Sequence, residues 1–140
     1  MTDISTDPIT ADERASWQAN GFFIRRGFRP EVDCYVTDEP SQLTVVVALP
    51  GVDPDAIEIA ATARTIAVTG ERRRDRVEGA VYQQMEIEYG PFQRRIPLDE
   101  PVDAKAASAR YDQGMLIVTL PIAPRAPQAE RVAIVIRGRA

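Results

Sequence analysis

Few residues of this chain could carry out catalysis or bind a metal. It contains no histidine, which excludes Ser-His-Asp and Cys-His nucleophile pairs, histidine zinc sites and the usual proton carrier near neutral pH. The single cysteine, Cys34, cannot form an internal disulfide or a cysteine-rich metal site. The single lysine, Lys105, is not part of a phosphate-binding Gly-x-x-x-x-Gly-Lys loop. We therefore predict no catalytic residue, no metal site and no cofactor.

The charged residues match turns and solvated loops better than catalytic sites. Asp53 and Asp55 flank a proline, and Asp99 and Glu100 precede another, which is the composition of turns. The arginine-rich run at residues 72–76 could contact phosphate, but a solvated loop is the commoner role of such a run. The net charge of −4 at pH 7 disfavours general attraction to nucleic acid or to an anionic membrane. We expect no nucleic acid among the partners.

The length of 140 residues fits a single domain with short terminal segments. Hydrophobic residues make up 44% of the chain and charged residues 27%, so it can bury a core like an ordinary globular protein. No apolar run reaches the ~18–20 residues that a membrane-spanning helix needs. Residues 1–17 are polar and acidic and lack the pattern of a signal peptide. We expect a cytoplasmic protein with no integral membrane association.

The middle of the chain alternates between apolar and polar residues, as β-strands do. Such runs recur about every 8–12 residues with turn signals between them. They lie at residues 32–36, 43–49, 56–60, 65–69, 81–88, 92–98, 106–111 and 115–120. The last two flank Asp112-Gln113-Gly114, a tight hairpin signal. This pattern indicates an antiparallel β-sandwich. Cys34 alternates with Val32 and Val36, so we predict that it is a small buried residue.

Five segments, in order, resemble the motifs of the small heat-shock protein (α-crystallin) family. They are Ala-Leu-Pro-Gly-Val at residues 48–52, Ile-Ala-Val-Thr-Gly-Glu at 66–71, Glu-x-x-Tyr-Gly-x-Phe-x-Arg at 86–94, Ala-x-x-x-x-Gly-x-Leu at 109–116, and the overlapping Val-Ala-Ile and Ile-Val-Ile at 132–136. Each motif alone is weak, but five with the family's order and spacing form a specific match. The resemblance covers residues 28–136.

The resemblance implies an all-β fold, an antiparallel immunoglobulin-like β-sandwich called the α-crystallin domain, at residues 28–121. Flexible arms would flank it: a variable N-terminal arm at residues 1–27 and a C-terminal extension at residues 122–140. The resemblance further implies an ATP-independent holdase chaperone that binds partly unfolded proteins and prevents their aggregation under stress. The protein would form homodimers that assemble into larger homo-oligomers, and it would not be an enzyme. The alternative is a co-chaperone-like β-sandwich adaptor that binds one folded partner.

The N-terminal arm carries large aromatic side chains on a polar, poorly patterned background. Each can bury ~150–250 Å² against a partner, which suits the contact of a chaperone with unfolded clients. The predicted client-binding residues are Trp17, Phe22, Phe23 and Phe28. The alternative is that these rings pack on their own sandwich.

The C-terminal extension ends in an apolar anchor. Val132, Ile134 and Ile136 share one face of an extended chain. Burial of each is worth ~1.5–3 kcal/mol, so they should dock on a sheet edge. The resemblance implies a groove on a neighbouring dimer, between the strands at residues 57–60 and 115–120. The predicted groove residues are Ile57, Ile59, Leu116, Val118 and Leu120. Alternatively, residues 132–136 form a last strand of their own sandwich.

A dimer interface is the last implied site. Arg94 lies on an otherwise apolar strand face, where a charge is costly unless it is paired or reaches solvent. The resemblance implies a dimer-interface arginine paired with carboxylate or carbonyl groups, with Glu86 as a candidate partner. It also implies a strand carrying Val81 and Tyr82 that is exchanged between subunits. For residues 71–80 the alternative is a solvated loop.

Overall fold

The computed structural model of the chain describes residues 27–123 and 131–137. Almost all regular structure in these residues is β-strand. The strands are β1 (Val32–Asp38), β2 (Ser41–Ala48), β3 (Glu58–Ala61), β4 (Thr65–Arg72), β5 (Gly90–Pro97), β6 (Ser108–Asp112), β7 (Met115–Pro121), β8 (Val132–Ile134) and β9 (Ile136–Arg137). Short 3-10 turns lie at Pro54–Ala56 and Ala104–Ala106.

The strands form two sheets. One sheet has the order β1-β2-β7-β6-β9 and the other the order β5-β4-β3-β8. Neighbouring strands are antiparallel except β6 and β9, which are parallel. The predicted all-β antiparallel sandwich is therefore confirmed, and its two sheets define four outer edges: β1, β9, β5 and β8.

The core lies between the inner faces of the two sheets. Strand β7 shows the period-two burial expected of a sheet with one face on a core, and β2 shows it except at Thr44, which is also buried. The side chains from the two sheets that are least exposed include Val45, Val47, Leu116, Val118, Leu120, Ile66, Val68 and Phe92. At ~1.5–3 kcal/mol for each large apolar side chain removed from water, this layer is the main source of the free energy of folding.

Two local predictions are wrong. Residues 81–88 form no strand in the chain, because an extended segment without a neighbouring strand has no partner for its backbone groups. Cys34 is exposed rather than buried, because β1 is an edge strand whose residues 33–36 are all exposed in the single chain. Partial burial and the nearby charge of Asp99 raise the pKa of the Cys34 thiol, which disfavours the reactive thiolate.

Motifs that are far apart in sequence meet around the turn that follows β2. The Leu49 N–H donates to the Gly114 carbonyl at 2.8 Å, and the Leu49 carbonyl accepts from the Tyr111 hydroxyl at 2.7 Å. The Pro50 carbonyl accepts from Nη1 of Arg72 at 3.1 Å. The turn after β2 is thus tied both to the β6–β7 hairpin and to the end of β4, so one cluster of hydrogen bonds fixes one end of the sandwich.

The structure gives a packing reason for Gly70, the glycine of the second motif. Gly70 pairs with Phe92 across β4 and β5, and a Cβ atom added at Gly70 would lie 2.7 and 2.9 Å from two carbon atoms of the Phe92 ring. The ring is buried, at 2% exposure, and contacts Phe28 edge to face with ring centroids 5.7 Å apart. The Phe92 ring therefore occupies the space that a side chain at residue 70 would need.

We predict that Gly70→Ala lowers the free energy of unfolding by about 1–3 kcal/mol, because it overpacks the Phe92 ring. Urea denaturation monitored by circular dichroism measures the change. The matched test is the same substitution in a Phe92→Leu background, where the smaller side chain should reduce the cost. An equal cost in both backgrounds would show that the ring is not the reason for glycine at this position.

Candidate functional site

The C-terminal tail, residues 131–137, bridges the two sheets. Strand β8 extends one sheet by pairing with β3, where Ile134 lies opposite Ile59. Strand β9 extends the other sheet by pairing with β6, where Ile136 lies opposite Ala109. The tail therefore covers a free strand edge of each sheet in succession and closes one side of the sandwich.

Burial alternates along the tail. Ile134 is 8% exposed and Val135 is 77% exposed, while Val132 and Ile136 are half-buried and pack against the core. The inward residues are the three predicted anchor residues. They dock on the sandwich of their own chain, which is the alternative stated for residues 132–136.

The groove under the tail has one predicted wall and one that differs from the prediction. Ile57 and Ile59 lie at the β3 side and are buried. The second wall is β6, whereas the prediction placed β7 there. Strand β7 lies between β2 and β6 and has both edges paired. Its predicted groove residues Leu116, Val118 and Leu120 are 0% exposed and fill the core.

A cavity of about 630 Å³ lies beside the docked tail. Residues from β3, β4 and the tail line it, among them Ile57, Ala60, Ala67, Val135 and Ile136. Acidic and basic groups also border it, namely Asp55, Glu58 and Arg131. The site is an open groove of mixed apolar and charged lining beside a paired strand edge, which suits an extended peptide segment.

A second apolar surface lies on the loop between β4 and β5. Its exposed side chains are Val77 at 62%, Val81 at 86%, Tyr82 at 48%, Met85 at 43% and Ile87 at 61%. Edge strand β1 also exposes large side chains, Tyr35 at 51% and Val36 at 50%. Apolar side chains clustered on a loop and beside a free edge are typical of an interaction surface.

Arg94 is half-buried, and its partner in the chain is a carbonyl group rather than the carboxylate of Glu86. Its Nη1 donates to the Pro30 carbonyl at 2.7 Å. Its Nε is buried and makes no hydrogen bond within the described part of the chain. Burial and the charge of Arg29 lower the pKa of Arg94. Glu86 is exposed on the loop, so the structure does not bring this predicted pair together in one chain.

The arginine-rich run is only partly solvated, so that prediction is wrong for Arg72 and Arg74. Both are half-buried. The Arg72 guanidinium lies 3.7 Å from the ring centroid of Phe28, and that of Arg74 lies 4.3 Å from that of Tyr89. In the sequence, the run of charged residues favours a solvated loop and does not indicate contacts with aromatic rings. The one signal for them is the period-two spacing of the two arginines, which places both on one face.

The structure places one of the four predicted client-binding aromatics. Phe28 is 6% exposed and belongs to the core, in agreement with the alternative of packing on its own sandwich. Trp17, Phe22 and Phe23 lie outside the described residues.

Residues 27–123 and 131–137 hold no group of three or more histidine, cysteine, aspartate or glutamate residues that could bind a metal ion. No helix in this part of the chain is both long and apolar enough to cross a membrane.

The sequence is similar to curated heat-shock proteins. The "18 kDa heat shock protein" of Streptomyces albus G is 34% identical over 128 residues, which cover 86% of this chain and 85% of that protein. The "19.0 kDa class II heat shock protein" of Oryza sativa is 35% identical over 103 residues, 66% of this chain. The match spans 59% of the rice protein's own length.

The fold is similar to solved structures. HspA from Xanthomonas axonopodis superposes with a TM-score of 0.63 at 29% identity, over 71% of this chain and 98% of that chain. A small heat-shock protein from Xylella fastidiosa, described as having a distinct high order structure, gives 0.59 at 30% identity, over 71% and 91% of the two chains. The Hsp20/alpha crystallin family model matches residues 35–137, from β1 to the end of the tail. This chain therefore belongs to the Hsp20/alpha crystallin family.

Proposed function

We propose that this protein is an ATP-independent holdase that binds partly unfolded proteins in the cytoplasm and prevents their aggregation. The observation that carries the proposal is the position of the tail, which pairs with an edge of each sheet. A short segment with a few inward side chains covers a free edge of each sheet, and an open groove lies beside it. A surface covered in this way can be uncovered without unfolding the sandwich.

The energies involved support reversible opening. Ile134 and Ile136 contribute at most about 1.5–3 kcal/mol each on burial, a small share of what the core contributes. Heating should therefore release the tail before the sandwich unfolds. Release would expose Ile59 and the unpaired edges of β3 and β6, to which an extended apolar segment of a client can add as a strand. Binding of a client in this way needs no nucleophile, metal or nucleotide.

Assembly would use the same edges. A tail from a neighbouring subunit can make the contacts that the tail makes here within one chain, and such contacts between dimers build larger oligomers. For the dimer we propose that the loop carrying Val81 and Tyr82 pairs with strand β1 of a second copy. Arg94 then lies at that interface, where a carboxylate such as the partner's Glu86 could satisfy its buried Nε.

The N-terminal aromatics complete the proposal. Trp17, Phe22 and Phe23 remain candidates for client contact, because large rings offer much apolar area without demanding one geometry. Phe28 is not among them, since it is buried against Phe92 and contacts Arg72.

The first test is light scattering from a heat-labile test protein warmed with this chain and without nucleotide. We expect suppression of aggregation at near-stoichiometric ratios of subunit to test protein, because each subunit offers one groove. A folded protein of similar size and charge serves as the control. Absence of suppression over the temperature range in which the test protein aggregates would contradict the holdase, and a defined 1:1 complex with a folded protein would favour the adaptor.

The second test separates the tail from the sandwich. We predict that Ile134→Ser combined with Ile136→Ser shifts the sedimentation coefficient toward that of a dimer. It should also speed hydrogen exchange in β3, which loses its neighbour β8. Val135→Ser changes an outward residue and is the matched control. If the double variant sediments and exchanges like the control, the tail does not anchor the assembly.

A further inference from the structure

An alternating stack of rings and arginines runs along the base of the loop between β4 and β5, residues 73–89. Its order is Phe28, Arg72, Tyr89, Arg74 and Tyr82. The Arg72 guanidinium lies 3.7 Å from the Phe28 centroid and 5.6 Å from that of Tyr89. The Arg74 guanidinium lies 4.3 Å from the Tyr89 centroid and 5.2 Å from that of Tyr82. Tyr89 therefore contacts two cations and is the central member.

Hydrogen bonds reinforce the stack. Nε and Nη2 of Arg72 donate to the Glu88 carbonyl at 2.9 and 2.6 Å, and Nη2 of Arg74 donates to the Ile87 carbonyl at 3.2 Å. Two arginines at one end of the loop thus hold two successive carbonyls at its other end. Arg72 also donates to the Pro50 carbonyl, which joins the loop base to the hydrogen-bonded end of the sandwich.

The stack matters for the position of the loop, because most of the loop is exposed and is not part of a strand. No strand forms between residues 73 and 89, and residues 75–87 are all exposed. A loop of this length loses considerable conformational entropy when it is held in one place. Each ring–arginine contact is worth roughly two- to thirtyfold in an equilibrium constant, so several in series can hold the base of the loop.

We propose that this stack sets the position of the loop so that Val81, Met85 and Ile87 are held outward as a contact surface for a second copy of this chain. The inference rests on the proposed dimer. Arg72, Arg74 and Tyr89 are positioning residues in it, because they act by placing the apolar side chains that make the contact.

The charge at the start of the loop, together with the apolar side chains beyond it, supports a second copy as the occupant. The loop carries the exposed Arg73 and Arg76, which are not in the stack. Strand β1 and its flanks expose acidic side chains beside the apolar Tyr35 and Val36, namely Glu31, Asp33, Asp38 and Glu39. The start of the loop, residues 73–76, is basic with three arginines and one aspartate, whereas the rest of the loop carries Glu78, Glu86 and Glu88. This basic start and the acidic, apolar free edge on the same chain are complementary, and both lie at the surface.

The test compares Tyr89→Leu with Tyr89→Phe in the full chain. Both remove the hydroxyl and leave the net charge unchanged, but only Tyr89→Phe keeps the ring between the two arginines. We expect Tyr89→Leu to raise the dimer dissociation constant about tenfold or more relative to Tyr89→Phe, measured by sedimentation over a dilution series. Hydrogen exchange in residues 76–88 of the dilute protein should also become faster, while β2 and β7 stay protected.

The outcomes separate the two proposals. If the wild-type chain stays monomeric at all concentrations, the proposed dimer fails, and with it the purpose assigned to the stack. If the wild type dimerises but Tyr89→Leu matches Tyr89→Phe in both dissociation constant and loop exchange, only the positioning role is overturned. Should Tyr89→Leu lose protection throughout β2 and β7, Arg74→Met, compared with Arg74→Lys, removes the outer cation instead and decides by the same two readouts.

Discussion

The packing of the two sheets against each other determines what every other part of the chain can do. Side chains alternate along each strand, so burying Val45, Val118, Ile66 and Phe92 in one layer leaves the opposite faces and the outer edges in contact with solvent. Backbone groups at such edges are open to any extended segment. The interactions open to the molecule therefore depend on which segments cover which edges, and on the free energy that holds each segment in place.

Two segments outside the main strand pattern meet these edges in different ways. The tail covers β3 and β6 by strand pairing and by the burial of Ile134. The loop after β4 forms no strand and is held at its base by Arg72 and Arg74. Both attachments lead back to the core layer, because Arg72 is also bound to the turn after β2, whose other hydrogen bonds reach the β6–β7 hairpin.

The sequence reports the core better than the edges. Period-two alternation predicted the strands and the sandwich because the inner faces obey it. The same alternation misplaced Cys34, since an edge strand in a single chain can expose both faces. Alternation carries no information on strand order, so it cannot correct the groove wall that the resemblance implies, β7, to the observed wall, β6. The spacing of Arg72 and Arg74 was visible, but their rings are distant in sequence and meet them only in the fold.

The difference in strength between core and edges is what makes the molecule suited to a reversible cover. A client-binding surface that was permanently exposed would associate with other copies at rest, and one that was part of the core would appear only on unfolding. The tail lies between these two extremes, because its contact with the core layer is small. Ile134 contacts that layer, while the neighbouring Val135 faces solvent with 77% of it exposed. Its opening free energy is therefore set by a few side chains and two short strand pairings, well below that of the sandwich. In the proposed holdase, a temperature that leaves β2 and β7 paired releases β8 and β9, and the unpaired edges of β3 and β6 then offer backbone groups to an extended apolar segment.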